Sequence, residues 1–361
     1  MDVNETIRCA CRLHSEPLSE EPLDAIIKRY EGPDLVKKMH EPAADLDFGT
    51  KFIRKHEEFI PLGSNFPSVE INGGRLRCCH NLRKGTSASA EKEQLFVLLH
   101  GLGGNMEQFE PLMRLLDSED KKFVAIDLPG FGKSDEWANY LMDNVVKAVH
   151  HTVILLFSMY QSYSKLTMVG HSAGCYILIH FLTNYQNSFQ FGKCVLLAPP
   201  KRTVDVLSKE NHLIQFGLKA ISKIPWILDI YRERFDQNKG LASSGISRFF
   251  YRDGDITNKY RKLWQFHNNI QIKSRSLWNY LLGWQEINWS KVDSTLTTVS
   301  IVIMCGANDV VTPLSNAQDM LKCFTNAQDK NLIVIPECGH NLTFDYPELF
   351  LANFSQAVLS N

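Results

Sequence analysis

Five residues constrain this chain more than any others: Gly170-His171-Ser172-Ala173-Gly174, set between an apolar run, Lys165 to Gly170, and a stretch of helical period from Cys175 to Tyr185. A strand that turns abruptly into a helix leaves little space at the corner. Glycines flanking the turn remove β-carbons from the crowded backbone and let the middle residue take a strained conformation. The turn aims the Ser172 hydroxyl at a helix N-terminus, where free N–H groups favour developing negative charge. G-x-S-x-G in this strand–turn–helix setting reads as a nucleophile elbow. The rival reading is a plain glycine-serine turn between two elements.

The surroundings extend the same pattern. Apolar runs at Phe66 to Ile71, Leu95 to His100, Phe123 to Leu128, Cys194 to Ala198, Ile301 to Cys305 and Leu332 to Ile335 read as buried strands. Between them, Asn105 to Leu116, Trp137 to Tyr160 and Ser315 to Phe324 have helical period. Strand and helix in alternation predict an α/β fold with helices on both faces of a sheet. Two regions break the alternation. Residues 1–60 carry charged helix-forming segments, Pro22 to Tyr30 and Pro33 to Met39, and read as an N-terminal helical extension. Residues 201–290 hold helical pieces punctuated by Pro225, Gly240, Gly245, Gly254 and Gly283, and read as an inserted cap. The core is then 61–200 and 291–361.

A serine hydroxyl needs a base. Of twelve histidines, His340 in Cys338-Gly339-His340-Asn341 lies just after the last strand, where active-site loops of such sheets gather. Asp309, in the loop after Ile301 to Cys305, supplies the acid in the chain order Ser, Asp, His. Its role would be to accept from the imidazole N–H and fix the tautomer; its alternative is a turn-forming aspartate. His100-Gly101-Leu102-Gly103-Gly104 follows a further strand. The N–H groups of Leu102 and Ala173 are the expected oxyanion hole, and His100 is expected to brace the loop. This chemistry requires no cofactor and no metal. Nine scattered cysteines without a repeated C-x-x-C are expected to be reduced thiols, and Cys9-x-Cys11 with His14 is too little for a metal site.

These elements, with Asp127-Leu128-Pro129-Gly130-Phe131-Gly132-Lys133-Ser134, resemble the α/β-hydrolase superfamily from about Pro61 to the end. The resemblance implies an eight-stranded, mostly parallel sheet with the cap inserted after the sixth strand. Ser172 stands where epoxide hydrolases and dehalogenases of the fold carry aspartate, which favours ester or thioester chemistry. The segments SSGISRFFYRDGD, KYRKLWQFHNNI and CGHNLTFDYPELF are similar to the fungal lipid droplet hydrolases, which act as esterases and triacylglycerol lipases. Lipid ester hydrolysis at an organelle surface is the implied activity.

Composition is compatible with this. Residues 201–290 hold 15 Lys and Arg against 8 Asp and Glu, a surplus of 7, in a chain of net charge -1, together with five of the six Trp. Such a segment suits peripheral contact with a lipid droplet or membrane surface, although a cap burying its own aromatics would look alike. Nothing points to nucleic acid. The start lacks the pattern of an export signal, no run approaches the roughly 18 residues of a membrane span, and Leu359-Ser360-Asn361 is not an SKL-type peroxisomal address. An intracellular location is expected, at the lipid droplet surface or in the cytoplasm, with the peroxisome left open. Two alternatives stay open: a lysophospholipid transacylase, and a non-catalytic lipid-droplet adaptor. His340 and Asp345 form an H-x4-D spacing found in some acyltransferases; Asp345 is expected instead to cap the helix after Pro347.

Overall fold

The computed structural model describes residues 3–11, 22–32, 35–40, 51–63, 74–84, 94–160, 163, 165–204 and 212–360. One sheet organises them. Its strands are β1 (Glu57–Pro61), β2 (Arg75–His80), β3 (Gln94–Leu99), β4 (Lys122–Ile126), β5 (Lys165–His171), β6 (Gln190–Leu197), β7 (Ser300–Gly306) and β8 (Asp329–Ile335). They lie in the order β1-β2-β4-β3-β5-β6-β7-β8. The two pairings of β2 are antiparallel and the remaining five are parallel.

Burial on both faces explains why the central strands read as continuous apolar runs. In β3, Leu95, Val97 and Leu99 join one apolar cluster, while Phe96 and Leu98 join the other. Helices Met142–Met159 and Gly174–Tyr185 cover the first face, and Glu110–Ser118 and Pro347–Phe354 the second. The N-terminal helices Val3–Ala10, Leu23–Arg29 and Leu35–His40 add Ile7, Ile26 and Leu35 to that second cluster.

The sequence missed β1 and β2, and the physical reason is charge. β1 (EEFIP) is an edge strand with Ile60 its only fully buried side chain, and charged residues suit an edge. It begins before residue 61, so Glu57 to Ile60 belong to the sheet. β2 buries Arg77, whose guanidinium meets Glu57, Glu107 and Asp127. The expected strand Phe66 to Ile71 lies outside the described residues, as does His14.

Between β6 and β7 the chain leaves the sheet and forms helices His212–Ser222, Trp226–Tyr231, Ile256–Gln271 and Ser274–Leu282. Pro225 sits at the start of the second, where a missing N–H is no loss. Arg232 anchors the segment that follows. It donates to the carbonyl oxygens of Ile272 (2.6 Å) and Asn269 (2.5 Å). With that side held inward, Trp226, Tyr231 and Phe235 face solvent at 57% exposure or more, and Phe216 at 74%. Among the described residues, no helix is long and apolar enough to cross a membrane.

Candidate active site

Ser172 adopts φ +51° at the end of β5, a conformation that costs a non-glycine residue free energy and persists only when its surroundings enforce it. Here the enforcement is visible. The Ser172 N–H donates to Leu197 O of β6 at 2.8 Å, and the Cys175 N–H returns to Ser172 O at 2.9 Å. A β-carbon on Gly174 would lie 2.3 Å from Leu99 O, and one on Gly101 would lie 2.9 Å from the Ser172 Cβ. The loop after β3 therefore crosses directly against the serine, and the two glycines make that approach sterically possible.

His100 holds this loop. Its Nδ1 meets Gly101 O at 2.7 Å, and its Nε2 accepts from the Leu128 N–H at 2.8 Å, so one ring ties the loop after β3 to the loop after β4. Burial pushes its pKa down to about 4, which keeps it neutral. The expected bracing role fits this geometry. Among the described residues, the N–H groups of Leu102 and Ala173 have no acceptor, and both residues line the same cavity as Ser172.

Asp309 and His340 meet behind that cavity. The His340 Nδ1 lies 2.8 Å from Asp309 Oδ2, both side chains being fully buried. Asp309 Oδ1 accepts from the N–H groups of Val311 and Thr312, each at 2.8 Å. The turn-forming role and the histidine-facing role are thus both present, one on each oxygen. Burial works to raise the Asp309 pKa, but the hydrogen bonds and charge of His340 and the bonds from Thr312 outweigh it and hold the carboxyl below its ordinary value. An Nδ1–H donated to a carboxylate leaves Nε2 as the basic nitrogen.

The cavity has a volume of about 510 Å³ and is lined by Leu102, Ser172, Ala173 and His340 from the core. Ile272, Leu277, Leu281 and Trp284 give it an apolar wall from the inserted helices. Arg232 and Arg248 supply cationic groups on the same side. Of the residues proposed from sequence, Asp309 does not line the cavity; it stands behind His340.

Three participants escaped the sequence reading. Thr312 Oγ1 lies 2.7 Å from Asp309 Oδ2, 3.0 Å from His340 Nδ1 and 3.1 Å from Ala198 O. A threonine three residues after the acid is too common to stand out. His171 Nε2 donates to His340 O at 3.0 Å, its ring centroid is 4.8 Å from that of His340, and burial pushes its pKa down to about 3. The third, Phe249, sets its ring edge-on to His340 with centroids 5.4 Å apart.

The helix-capping role expected of Asp345 is incorrect. The helix Pro347–Phe354 starts from Tyr346 with no side-chain cap. The Asp345 carboxylate instead accepts from the N–H groups of Gly339, Tyr251 and Arg252. It is fully buried, and three backbone donors compensate that burial where one exposed cap bond would not.

Residues 94–347 match the family described as alpha/beta hydrolase fold. This chain belongs to that family. Lipid droplet hydrolase 1 of Saccharomyces cerevisiae is 39% identical over 368 residues, covering 96% of this chain and 95% of the yeast protein. A putative esterase/lipase of Mycoplasma genitalium is 23% identical over 276 residues, covering 74% of this chain and 92% of that protein. Among solved structures, an esterase from Exiguobacterium antarcticum superimposes with a TM-score of 0.58 at 20% identity. The match covers 84% of this chain and 99% of the esterase. The α/β-hydrolase assignment accounts for the parallel strands, the insertion between β6 and β7, and the elbow at the end of β5.

Proposed function

We propose that the chain is a serine esterase of lipid carboxylic esters, working through Ser172, His340 and Asp309. The observation that carries this reading is a convergence. A strained serine, a histidine backed by a buried aspartate, and two N–H groups with no acceptor among the described residues meet at one partly apolar cavity.

In this reading the Ser172 Oγ attacks the ester carbonyl as the His340 Nε2 takes its proton. Asp309 steadies the imidazolium through Nδ1. Negative charge that gathers on the carbonyl oxygen is met by the N–H groups of Leu102 and Ala173, each typically worth about 3 kcal/mol in the transition state. The alcohol leaves with the proton from His340, and water activated by the same nitrogen releases the acid from Ser172.

Lipid as the substrate class is supported by the wall of Ile272, Leu277, Leu281 and Trp284 and by the exposed rings of Phe216, Trp226 and Phe235. It is supported also by the name of the yeast relative. Trp226 and Phe235 flank Arg232, which lines the cavity, so a lipid surface in contact with these rings would deliver substrate near the mouth. We assign the protein to the surface of lipid droplets on this basis. The test is hydrolysis by purified protein of a panel running from short soluble esters to triacylglycerol emulsions and phospholipid vesicles, beside Ser172→Ala. Long-chain lipid turnover that vanishes in the variant is the expected result. Equal turnover by both proteins would refute the role of Ser172, and turnover confined to short soluble esters would refute the lipid assignment.

A further inference from the structure

The loop that carries His340 is stitched to the insertion by one carboxylate. Asp345 Oδ2 accepts from the Gly339 N–H at 2.6 Å and from the Tyr251 N–H at 2.8 Å, while Oδ1 accepts from the Arg252 N–H at 2.9 Å. Gly339 immediately precedes His340. The residue after it, Asn341, donates its N–H to Phe249 O at 3.0 Å, and the Phe249 ring lies against the His340 ring. Beyond the carboxylate, the Arg252 guanidinium sits over the Tyr346 ring, 4.0 Å from its centroid. The backbone on both sides of His340 is therefore pinned to one short strip of the insertion, residues 249–252.

The same geometry bears on the H-x4-D spacing. A carboxylate that took part in acyl transfer would have to reach the reacting oxygens. Asp345 is fully buried and does not line the cavity, and three backbone N–H groups occupy its oxygens. Its neighbours confirm that the strip and the loop fit closely. A β-carbon on Gly339 would stand 3.0 Å from Tyr251 N, 3.1 Å from Phe249 O and 3.2 Å from Asp345 Oδ2.

We propose that Asp345 is a positioning residue: by gathering the N–H groups of Gly339, Tyr251 and Arg252 it locks the His340 loop to the strip 249–252 and fixes the imidazole against Phe249. The strip is then part of the wall that sets the base, and any opening of the insertion takes place elsewhere. This rests on His340 acting as the base of the proposed esterase.

The test is Asp345→Asn, which keeps the side chain's size but turns one acceptor into a donor facing backbone N–H groups. Parent, Asp345→Asn and Ser172→Ala are compared on a soluble ester well below their melting temperatures. Rates are normalised to active sites titrated to completion with a fluorophosphonate. In Asp345→Asn, kcat should fall about 10- to 100-fold with KM within about twofold, the signature of a misplaced base. With glycerol as acyl acceptor, transfer and hydrolysis should fall by one factor, leaving their ratio unchanged. Loss of transfer with hydrolysis preserved would overturn the proposal in favour of a direct acyl-transfer role. An unchanged kcat per titrated site, with only a lower melting temperature, would overturn it in favour of a purely structural bond. If Asp345→Asn does not fold, Gly339→Ala presses on the same seam and should show the same kcat loss; parental kcat there would overturn the proposal. Full activity in Ser172→Ala would instead remove the esterase reading on which the proposal stands.

Discussion

Thr312 offers a sharp test of the energetics around Asp309. Thr312→Val keeps a β-branched side chain of the same outline and removes Oγ1, the atom that touches Asp309 Oδ2, His340 Nδ1 and Ala198 O. Asp309 retains its bonds from the N–H groups of Val311, Thr312 and His340, so the fold of the turn should survive. What is lost is one hydrogen bond to a charged group, worth about 1.5–3 kcal/mol. At about 1.4 kcal/mol per tenfold change in rate, that corresponds to roughly 10- to 100-fold. In the proposed mechanism the imidazolium forms against this carboxylate, which the hydroxyl helps to fix, so the loss should fall on kcat and leave KM nearly unchanged. The assay is steady-state hydrolysis of a soluble short-chain ester, with the folded fraction checked by thermal melting, beside Thr312→Ser as the variant that restores the hydroxyl. A valine variant within twofold of the parent at full folding, or a serine variant as impaired as valine, would refute this account of the Asp309 environment.

Acid should weaken the fold through two buried histidines. Burial holds the pKa of His100 to about 4 and that of His171 to about 3, against an ordinary value of 6.5. Folded values below the unfolded one mean that the stability they contribute is present above pH 6.5 and is lost as pH falls towards those values, because the unfolded chain binds the protons first. For His100 the loss amounts to about 3 kcal/mol in full. Melting temperatures from pH 7 to pH 4 should decline less steeply in His100→Gln than in the parent; parallel declines would contradict this. The exposed aromatic rings of the insertion can be tested by their hold on lipid. Trp226→Ala with Phe235→Ala should reduce partition onto triacylglycerol emulsions roughly 30-fold, taking about 1 kcal/mol for each partly buried ring. Soluble-ester turnover should stay unchanged, and unaltered partition in a flotation assay would show that these rings do not meet lipid.

Much of this site was legible in the sequence because its parts obey local rules. A serine between glycines at the junction of a strand and a helix carries its own steric explanation, as Gly174 against Leu99 O makes plain. Asp309 and His340 could be found because each follows a parallel strand, and the loops at those strand ends converge. Legibility failed where contacts join distant segments. Arg77 makes β2 look like a polar loop until Glu57, Glu107 and Asp127 surround it. Asp345 stands two residues before Pro347 and carries the composition of a cap, yet its partners Tyr251 and Arg252 lie more than ninety residues away in sequence. Thr312 likewise acquires meaning only from the pair beside it.

The proposed mechanism requires that Ser172 become acylated. Stoichiometric reaction with a fluorophosphonate, followed by intact-mass measurement and peptide mapping, tests it directly. One adduct per chain is expected, located on Ser172, absent in Ser172→Ala and formed far more slowly in His340→Ala. An adduct on another residue, or an unmodified Ser172 in a protein that still hydrolyses esters, would contradict it.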